Sequence, residues 1–186
     1  WWTVTVIVAG FAVFVNATAQ LTTLLLSGEI RAVLAVRRRN RMRSQLKGHV
    51  VVVGFGRVGR AAVAAVREAG LPCAVIEADP ARAEDVARMG AVYVQGDGRD
   101  NESLEAANIG AAVALTTALD DPDNLVVTLT ARTLRPDLRI VARVNDMHWC
   151  ERLRRAGASH LVPVYESAGA SIAATALSAD VLAVQE

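Results

Sequence analysis

Three glycines and one glutamate have the residue types and the spacing of a phosphate-binding turn. Gly54, Gly56 and Gly59 form a GxGxxG pattern directly after four valines at 50–53. We expect Gly54 to permit a tight turn, Gly56 to let a pyrophosphate approach the backbone, and Gly59 to let the next helix pack closely on the strand. Glu77 follows Gly59 by eighteen residues, and a carboxylate there accepts hydrogen bonds from ribose hydroxyls but repels a 2′-phosphate. The spacing predicts a site for NAD or a plain adenine nucleotide rather than NADP; the alternative is a turn of this type that has lost its ligand.

Polar residues also follow three other predicted strands. The third strand ends in a stretch that is placed to border an adenine ring: Gln95, Gly96, Asp97, Gly98 and Arg99. The fourth ends in Thr116 and Thr117, whose hydroxyls are either ribose or phosphate ligands or ordinary polar strand ends. Arg143 ends the fifth strand, where its cation has three candidate partners: a ligand phosphate, a dimer partner or a surface acid. We expect the ligand to lie across the carboxyl ends of these strands.

No catalytic or metal-binding residues are predicted. Asp120, Asp121 and Asp123 are interpreted as charges at a helix N-terminus, with a divalent-ion site as the alternative. The cysteines indicate reduced thiols rather than a disulfide framework. An NAD-dependent oxidoreductase is disfavoured because the only lysine, Lys47, precedes the predicted fold. The residues without metal-ligand spacing are His49, His148, His160, Cys73 and Cys150.

An alternation of strand and helix patterns must position these residues. Apolar runs predict strands at about 49–53, 72–77, 91–95, 111–116, 138–143 and 159–162. Helical patterns follow them at about 57–69, 80–89, 101–107, 122–134, 146–156 and 166–178. Left-handed helix caps are expected at Gly70, Gly90, Gly110 and Gly157. The pattern predicts an α/β fold, a Rossmann-like doubly wound parallel sheet with strand order 3-2-1-4-5-6.

The first 28 residues carry no charged side chain and form a region of their own. As a helix they would span about 42 Å, more than the roughly 30 Å hydrocarbon core of a bilayer. We therefore predict one transmembrane helix at 1–28, with a buried soluble helix as the alternative. A basic linker is predicted at 29–47, a nucleotide-binding domain at 48–165, and a last helix with a C-terminal tail at 166–186.

The charge distribution separates the basic linker from a mildly acidic domain. Residues 29–47 contain seven basic residues and one acid, which favours the cytoplasmic side of a membrane and contact with anionic lipid. Residues 48–186 contain 13 arginines and 18 acids. This acidic balance speaks against nucleic-acid binding by the domain.

Several successive motifs resemble one family. The stretches that follow its pattern in order are VVVVGFGRVG, VIEAD, VYVQGDGRDNESLEAANI, AAVALTTALDDPDN, RIVARVND and LRRAGASHLVPVYESAGASIA. The segment TVTVIVAGFAVFVNATAQLTTLL resembles the inner, pore-lining helix of a potassium channel. The chain thus resembles a bacterial potassium channel of the Kch type that carries an RCK domain (regulator of K⁺ conductance), also called a TrkA-N or KTN domain.

The resemblance implies a regulatory domain that senses a nucleotide, NAD(H) or ATP, ADP or AMP, and is not an enzyme. The implied and predicted ligand contacts together are Gly54, Phe55, Gly56, Arg57, Val58, Gly59, Glu77, Ala78, Asp79, Asp97, Gly98, Thr116, Thr117 and Arg143. Ligand binding would rearrange a domain dimer or ring and so gate K⁺ conduction.

The resemblance also implies partners and a location. Residues 163–178 resemble the crossover helix through which RCK domains form homodimers, which assemble toward a tetrameric channel or an octameric ring. The domain would lie on the cytoplasmic side of the inner membrane. The sequence lacks a selectivity-filter motif such as TVGYG, so it resembles a fragment with the inner helix and the RCK domain. The alternative function is a membrane-tethered regulatory subunit of a Trk- or Ktr-type potassium transporter.

Overall fold

The computed structural model of the chain describes residues 1–26 and 46–177. The predicted basic linker therefore falls, apart from its last two residues, outside the described residues, as does the end of the predicted tail. The chain divides into two compact units, Trp1–Met42 and Arg43–Glu186. The predicted domain boundaries remain predictions.

The first unit contains a helix where the sequence predicted one. Helix α1 covers Trp2–Leu26, and polar residues such as Thr3, Thr5 and Asn16 interrupt its apolar sequence. In the part of the chain that the structure describes, no helix is both long enough and apolar enough to cross a membrane. The predicted transmembrane helix at 1–28 is thus not confirmed.

The second unit is built on six parallel strands. They are β1 (Val50–Val53), β2 (Cys73–Glu77), β3 (Val92–Gln95), β4 (Ala114–Thr117), β5 (Arg139–Val144) and β6 (His160–Pro163). The observed order is β3-β2-β1-β4-β5-β6, which confirms the predicted Rossmann-like topology. In the register, Val53 lies between Ile76 of β2 and Thr117 of β4. The carboxyl ends of β1, β2 and β4 therefore meet at one edge of the sheet.

Helices connect the strands and cover both faces of the sheet. They are α2 (Arg57–Glu68), α3 (Ala83–Arg88), α4 (Asn101–Ala106), α5 (Asp121–Leu134), α6 (Cys150–Arg155) and α7 (Val164–Ala176). The predicted helices at 80–89 and 146–156 each begin with a separate 3₁₀ turn, Pro80–Arg82 and Met147–Trp149. In both turns the preceding aspartate side chain accepts a backbone N–H two residues on, which favours the tighter winding.

Alternating side chains of the strands enter two separate apolar clusters. Val51 and Val53 of β1 belong to one cluster with Leu104 of α4 and Val127 of α5. Val50 and Val52 belong to the other cluster, which contains Val63 of α2. Because successive strand residues point to opposite faces, β1 is buried on both sides, as its four valines predicted.

Three of the four predicted left-handed glycine caps are present. Gly70, Gly90 and Gly157 have positive φ angles of 76°, 72° and 103°. The prediction for Gly110 is wrong, because the residue that takes the left-handed conformation after α4 is Asn108, with φ 55°. Asparagine tolerates this conformation since its short side chain hydrogen-bonds locally.

His49 is fully buried at the amino end of β1. Its Nε2 lies 2.8 Å from the carbonyl oxygen of Ala107, and its Nδ1 has no hydrogen-bond partner within the described residues. Burial lowers the pKa of His49 below its usual 6.5 and outweighs the hydrogen bond to Ala107, which raises it. The imidazole is therefore neutral in the folded domain at pH 7.

The lowered pKa predicts how stability depends on pH. As the pH falls from 6.5 toward the lower pKa of His49 in the folded domain, the unfolded chain binds a proton that the folded domain does not yet bind, so the free energy of unfolding falls. The loss is up to about 1.4 kcal/mol for each pH unit. His49→Gln keeps an N–H donor but does not titrate, and we expect it to flatten this slope in urea unfolding measured from pH 7.5 to 5.

The matched control is His160→Gln, because His160 is exposed on β6. It should leave the slope as in the wild type. Equal slopes for the wild type and His49→Gln would contradict the assignment of this pH dependence to His49.

Candidate functional site

The glycine turn after β1 is tightly packed at two of its three glycines. Gly54 has a φ of 90°, and its backbone N–H donates to the Ile76 carbonyl oxygen at 2.9 Å. A Cβ on Gly59 would overlap the Gly54 carbonyl oxygen. The turn thus needs glycine at position 54 for its conformation and at position 59 for the close approach of α2 to β1.

The middle glycine of the motif, Gly56, is not constrained by packing in the same way. Gly56 has ordinary extended geometry, with φ −77°, and a Cβ there would meet no atom of the described residues within 4 Å. Gly56 is the N-cap of α2; within the described residues no side chain caps this helix, and its first turn contains no acid. The backbone N–H groups of the first turn therefore point outward with the positive end of the helix dipole, an arrangement that suits an anion.

Glu77 connects the glycine turn to the end of β2. Its Oε2 accepts a hydrogen bond from the Phe55 backbone N–H at 2.8 Å, and its Oε1 accepts one from the Asp79 backbone N–H at 3.0 Å. The Tyr93 hydroxyl lies 3.1 Å from the Glu77 carbonyl oxygen and 3.2 Å from that of Asp79, which holds the same segment. Each carboxylate oxygen keeps a further lone pair for a hydroxyl donor.

A cleft of about 190 Å³ opens at these strand ends. It is lined by Val53, Gly54, Ile76, Glu77, Ala78, Gly96, Asp97, Gly98, Arg99, Leu119 and Asp123. Five predicted site residues are among them: Gly54, Glu77, Ala78, Asp97 and Gly98. Gly98 must be small because a Cβ would overlap the Val53 side chain. The structure therefore brings residues from three of the predicted strand ends into one space.

Other predicted residues surround the turn without lining the cleft. Phe55 is buried, and the Arg60 guanidinium lies 4.9 Å from the centre of its ring. Arg60 also pairs with Asp85 at 2.8 Å, which ties α2 to α3. Arg57 and Val58 form the first turn of α2. Their ligand contacts, and that of Asp79, remain predictions.

The structure does not place Thr116, Thr117 or Arg143 in the cleft. Thr117 is fully buried and shares a strand face with buried Leu115, whereas Thr116 is only partly buried on the opposite face. Arg143 donates to the carbonyl oxygen of Ala118 at 3.2 Å, so it ties β5 to the end of β4. Their contacts with a ligand stay predictions.

Two charged cleft residues pair with each other: Arg99, which belongs to the stretch expected to border an adenine, and Asp123, which was interpreted as a helix N-terminal charge. The Arg99 Nε lies 3.0 Å from Asp97 Oδ1, and its Nη1 lies 3.0 Å from Asp123 Oδ1. The side-chain hydrogen bond from Arg99 holds the pKa of Asp97 below its usual value, so this carboxylate is ionised. Pairing between positions 24 residues apart has no local signature, so the sequence offered no signal for it.

Two further polar residues hold the cleft in shape. Buried Asp121 accepts the backbone N–H groups of Asn145 and Asp146 at 2.8 and 2.9 Å. Buried Asn124 hydrogen-bonds both the N–H and the carbonyl of Leu119. The interpretation of Asp121 as a helix N-terminal charge is thus incomplete, because this carboxylate also joins α5 to the end of β5.

The divalent-ion alternative receives no support from Asp120, Asp121 and Asp123 at the start of α5. Within residues 1–26 and 46–177, no group of three or more His, Cys, Asp or Glu side chains is arranged to hold a metal ion.

The family comparison agrees with this geometry. The TrkA-N domain matches residues 50–163, which include every strand of the sheet and the whole glycine turn. The chain belongs to the TrkA-N domain family. This membership confirms the resemblance that the successive motifs indicated.

Relatives of this TrkA-N domain are potassium channel and potassium-efflux proteins. "Potassium channel protein 1" of Methanocaldococcus jannaschii is 25% identical over 179 residues, which cover 95% of this chain and 54% of that protein. The glutathione-regulated potassium-efflux protein KefC of Cronobacter sakazakii is 36% identical over 109 residues, or 58% of this chain and 18% of KefC. The chain therefore spans about half the length of the archaeal relative.

Solved structures show the same fold. The GsuK channel bound to NAD has a TM-score of 0.61 and 26% identity, covering 77% of this chain and 28% of that one. The GsuK structure bound to ADP has a TM-score of 0.60 and 26% identity, covering 75% of this chain and 39% of that one.

The packing of the TrkA-N glycine turn predicts that alanine destabilises the domain at one glycine and is tolerated at another. Gly59→Ala should lower the free energy of unfolding by about 1–3 kcal/mol, because the added methyl overlaps the Gly54 carbonyl. Gly56→Ala is the matched control and should be close to neutral, since its methyl meets open space. Urea unfolding measures both. Equal stability of the two variants would contradict the close approach of α2 to β1.

Proposed function

We propose that this chain is the nucleotide-sensing regulatory part of a potassium-transport protein, with NAD(H) or an adenine nucleotide as its ligand. The observation that carries the proposal is the placement of Glu77 beside the uncapped N-terminus of α2. A carboxylate for ribose hydroxyls and a set of free N–H groups for phosphates thus lie side by side, which is the donor and acceptor pattern of a nucleoside diphosphate.

The residues of the cleft fit such a ligand in three parts. The ribose would hydrogen-bond the free lone pairs of Glu77, and the diphosphate would lie over Gly56 against the first N–H groups of α2. The adenine would border Asp97 and Gly98, between the ends of β2 and β3. The GsuK channel is bound to NAD in one structure and to ADP in another, which supports both ligand classes for this chain.

The regulatory role would operate by a change in domain arrangement. A ligand shifts an equilibrium only by its preference for one arrangement, and a tenfold preference for each site supplies about 1.4 kcal/mol. The exposed Tyr165 and Ile172 of α7 support its proposed role as the dimer-forming crossover helix. We propose that such dimers assemble toward a tetrameric channel or octameric ring at the cytoplasmic side of the inner membrane, where they gate the passage of K⁺.

A second candidate is the regulatory domain of a separate transporter. The 36% identity to KefC, a potassium-efflux protein, supports it. A pore loop encoded upstream of residue 1 in the same gene would favour the channel, and its absence there would favour the transporter. An oxidoreductase is less favoured. It can lower the NADH absorbance at 340 nm only when an oxidised co-substrate is present, so loss of that absorbance with a carbonyl substrate added would support it.

Gly56→Asp tests the site directly. The new carboxylate has room to fit but would stand where the diphosphate is bound, so we expect NAD binding to fall at least a hundredfold in calorimetry, by roughly 3 kcal/mol. Ala65→Asp is the matched control, because it adds the same charge at an exposed position of α2 away from the helix N-terminus. Unchanged affinity in Gly56→Asp, with the fold intact by circular dichroism, would overturn the proposed site.

Glu77→Gln tests the choice between NAD and NADP. The wild type should prefer NAD by about tenfold or more, since the carboxylate repels a 2′-phosphate. The amide removes this repulsion, so the ratio of the two dissociation constants should fall to within about threefold. Glu84→Gln, on exposed α3, serves as the control. A ratio that stays at tenfold in Glu77→Gln would show that another group selects the ligand.

A further inference from the structure

A four-residue segment before β1 is fastened to the turn that follows α4. We call residues 46–49 the entry segment, because the chain from residues 1–45 enters the sheet domain through it. The Gly48 N–H donates to the Ala111 carbonyl at 2.9 Å, and the Val113 N–H donates to the His49 carbonyl at 2.8 Å. The His49 ring contacts the Ala107 carbonyl at 2.8 Å. Three hydrogen bonds thus join this segment to residues 107–113.

Asn108 makes the fourth connection and has the unusual backbone. Its Nδ2 donates to the Leu46 carbonyl at 2.8 Å, and Leu46 packs partly buried against the core. Asn108 is the only non-glycine residue with a positive φ among those described. A left-handed conformation costs a non-glycine residue free energy, and here it aims the amide at Leu46. We call this set of four hydrogen bonds the entry clasp.

The same short helix that ends at the clasp begins at the cleft. The loop of Gly96 to Arg99 lines the cleft, and α4 starts two residues later with Asp100 as its N-cap. A Cβ on Gly96 would overlap the Ser103 side chain, and Leu104 is fully buried. The six residues of α4 span only about 9 Å. Because close-packed protein interiors are nearly incompressible, a shift of the loop Gly96 to Arg99 would move the other end of α4, at the entry clasp, as well.

We propose that α4 couples the nucleotide cleft to the entry clasp, with Asn108 as the positioning residue that makes the coupling. The inference rests on the proposed function, because it takes the nucleotide to bind at Asp97 and Gly98. Ligand contact with this loop favours the closed clasp and so fixes the direction in which the chain leaves the domain at Leu46. Ligand binding in the cleft would then act on the entry segment within the same chain, independently of any rearrangement of dimers through α7.

Hydrogen exchange of the full chain, with and without saturating NAD, tests the coupling. The backbone amides of Gly48 and Val113 report on the clasp, because both donate its hydrogen bonds. We expect NAD to slow their exchange by about fivefold, at the lower end of typical allosteric coupling. NAD that binds in calorimetry but leaves both amides unchanged would overturn the inference while the proposed function stands. Absence of binding would overturn both.

Asn108→Gly provides the reciprocal measurement. Glycine keeps the left-handed backbone but removes the bond to Leu46, so both amides should exchange faster. Coupling is reciprocal, so opening the clasp should weaken NAD binding by the same factor by which NAD slows amide exchange in the wild type. The dissociation constant for NAD should therefore rise about fivefold. Glu68→Gly, at the exposed end of α2 away from the glycine turn, is the control and should keep the wild-type affinity. If Asn108→Gly speeds exchange of both amides but leaves NAD affinity unchanged, the clasp is only structural and the proposed coupling is overturned.

Discussion

The carboxylate of Glu77 holds together the part of the molecule on which the candidate site depends. It accepts the backbone N–H of Phe55 from the glycine turn and that of Asp79 from the segment after β2. Charge-assisted hydrogen bonds of this kind are stronger than neutral ones, so the ends of two neighbouring strands are fixed to one side chain. The open N-terminus of α2 owes its position beside β2 to this connection.

Packing around the turn divides the three glycines between structure and ligand. Gly54 and Gly59 are needed by the protein itself, because the first has a positive φ and the second meets a carbonyl oxygen. A Cβ added at Gly56 would meet nothing within 4 Å among residues 1–26 and 46–177, so the packing of this part of the chain gives no reason for glycine there. Close approach of a ligand to the backbone would explain a glycine at this position. The fold thus explains Gly54 and Gly59, whereas the proposed diphosphate explains Gly56. Gly56 is therefore the glycine that argues most strongly for ligand binding.

Patterns that are local in sequence were predicted correctly, and side-chain pairing was not. Four consecutive valines and a GxGxxG turn define β1 and α2 because burial and turn geometry act within a few residues. The strand order β3-β2-β1-β4-β5-β6 is the one that accompanies this turn in doubly wound sheets. The Arg99–Asp123 pair and the burial of Asp121 depend on how separate loops meet, which no spacing encodes. The cap at Asn108 instead of Gly110 was missed because asparagine also adopts the left-handed conformation. The burial of Thr117 follows from strand alternation, and its ligand contact stays a prediction.

The central claim is that a nucleotide lies between Glu77 and the N-terminus of α2. Crystals of the chain grown with NAD test it most directly. The account predicts the adenosine ribose hydroxyls within hydrogen-bond distance of the Glu77 carboxylate and the diphosphate over Gly56, against the N–H groups of Arg57 to Gly59. Density for NAD at another place on the domain, or an empty cleft at a saturating NAD concentration, would contradict it.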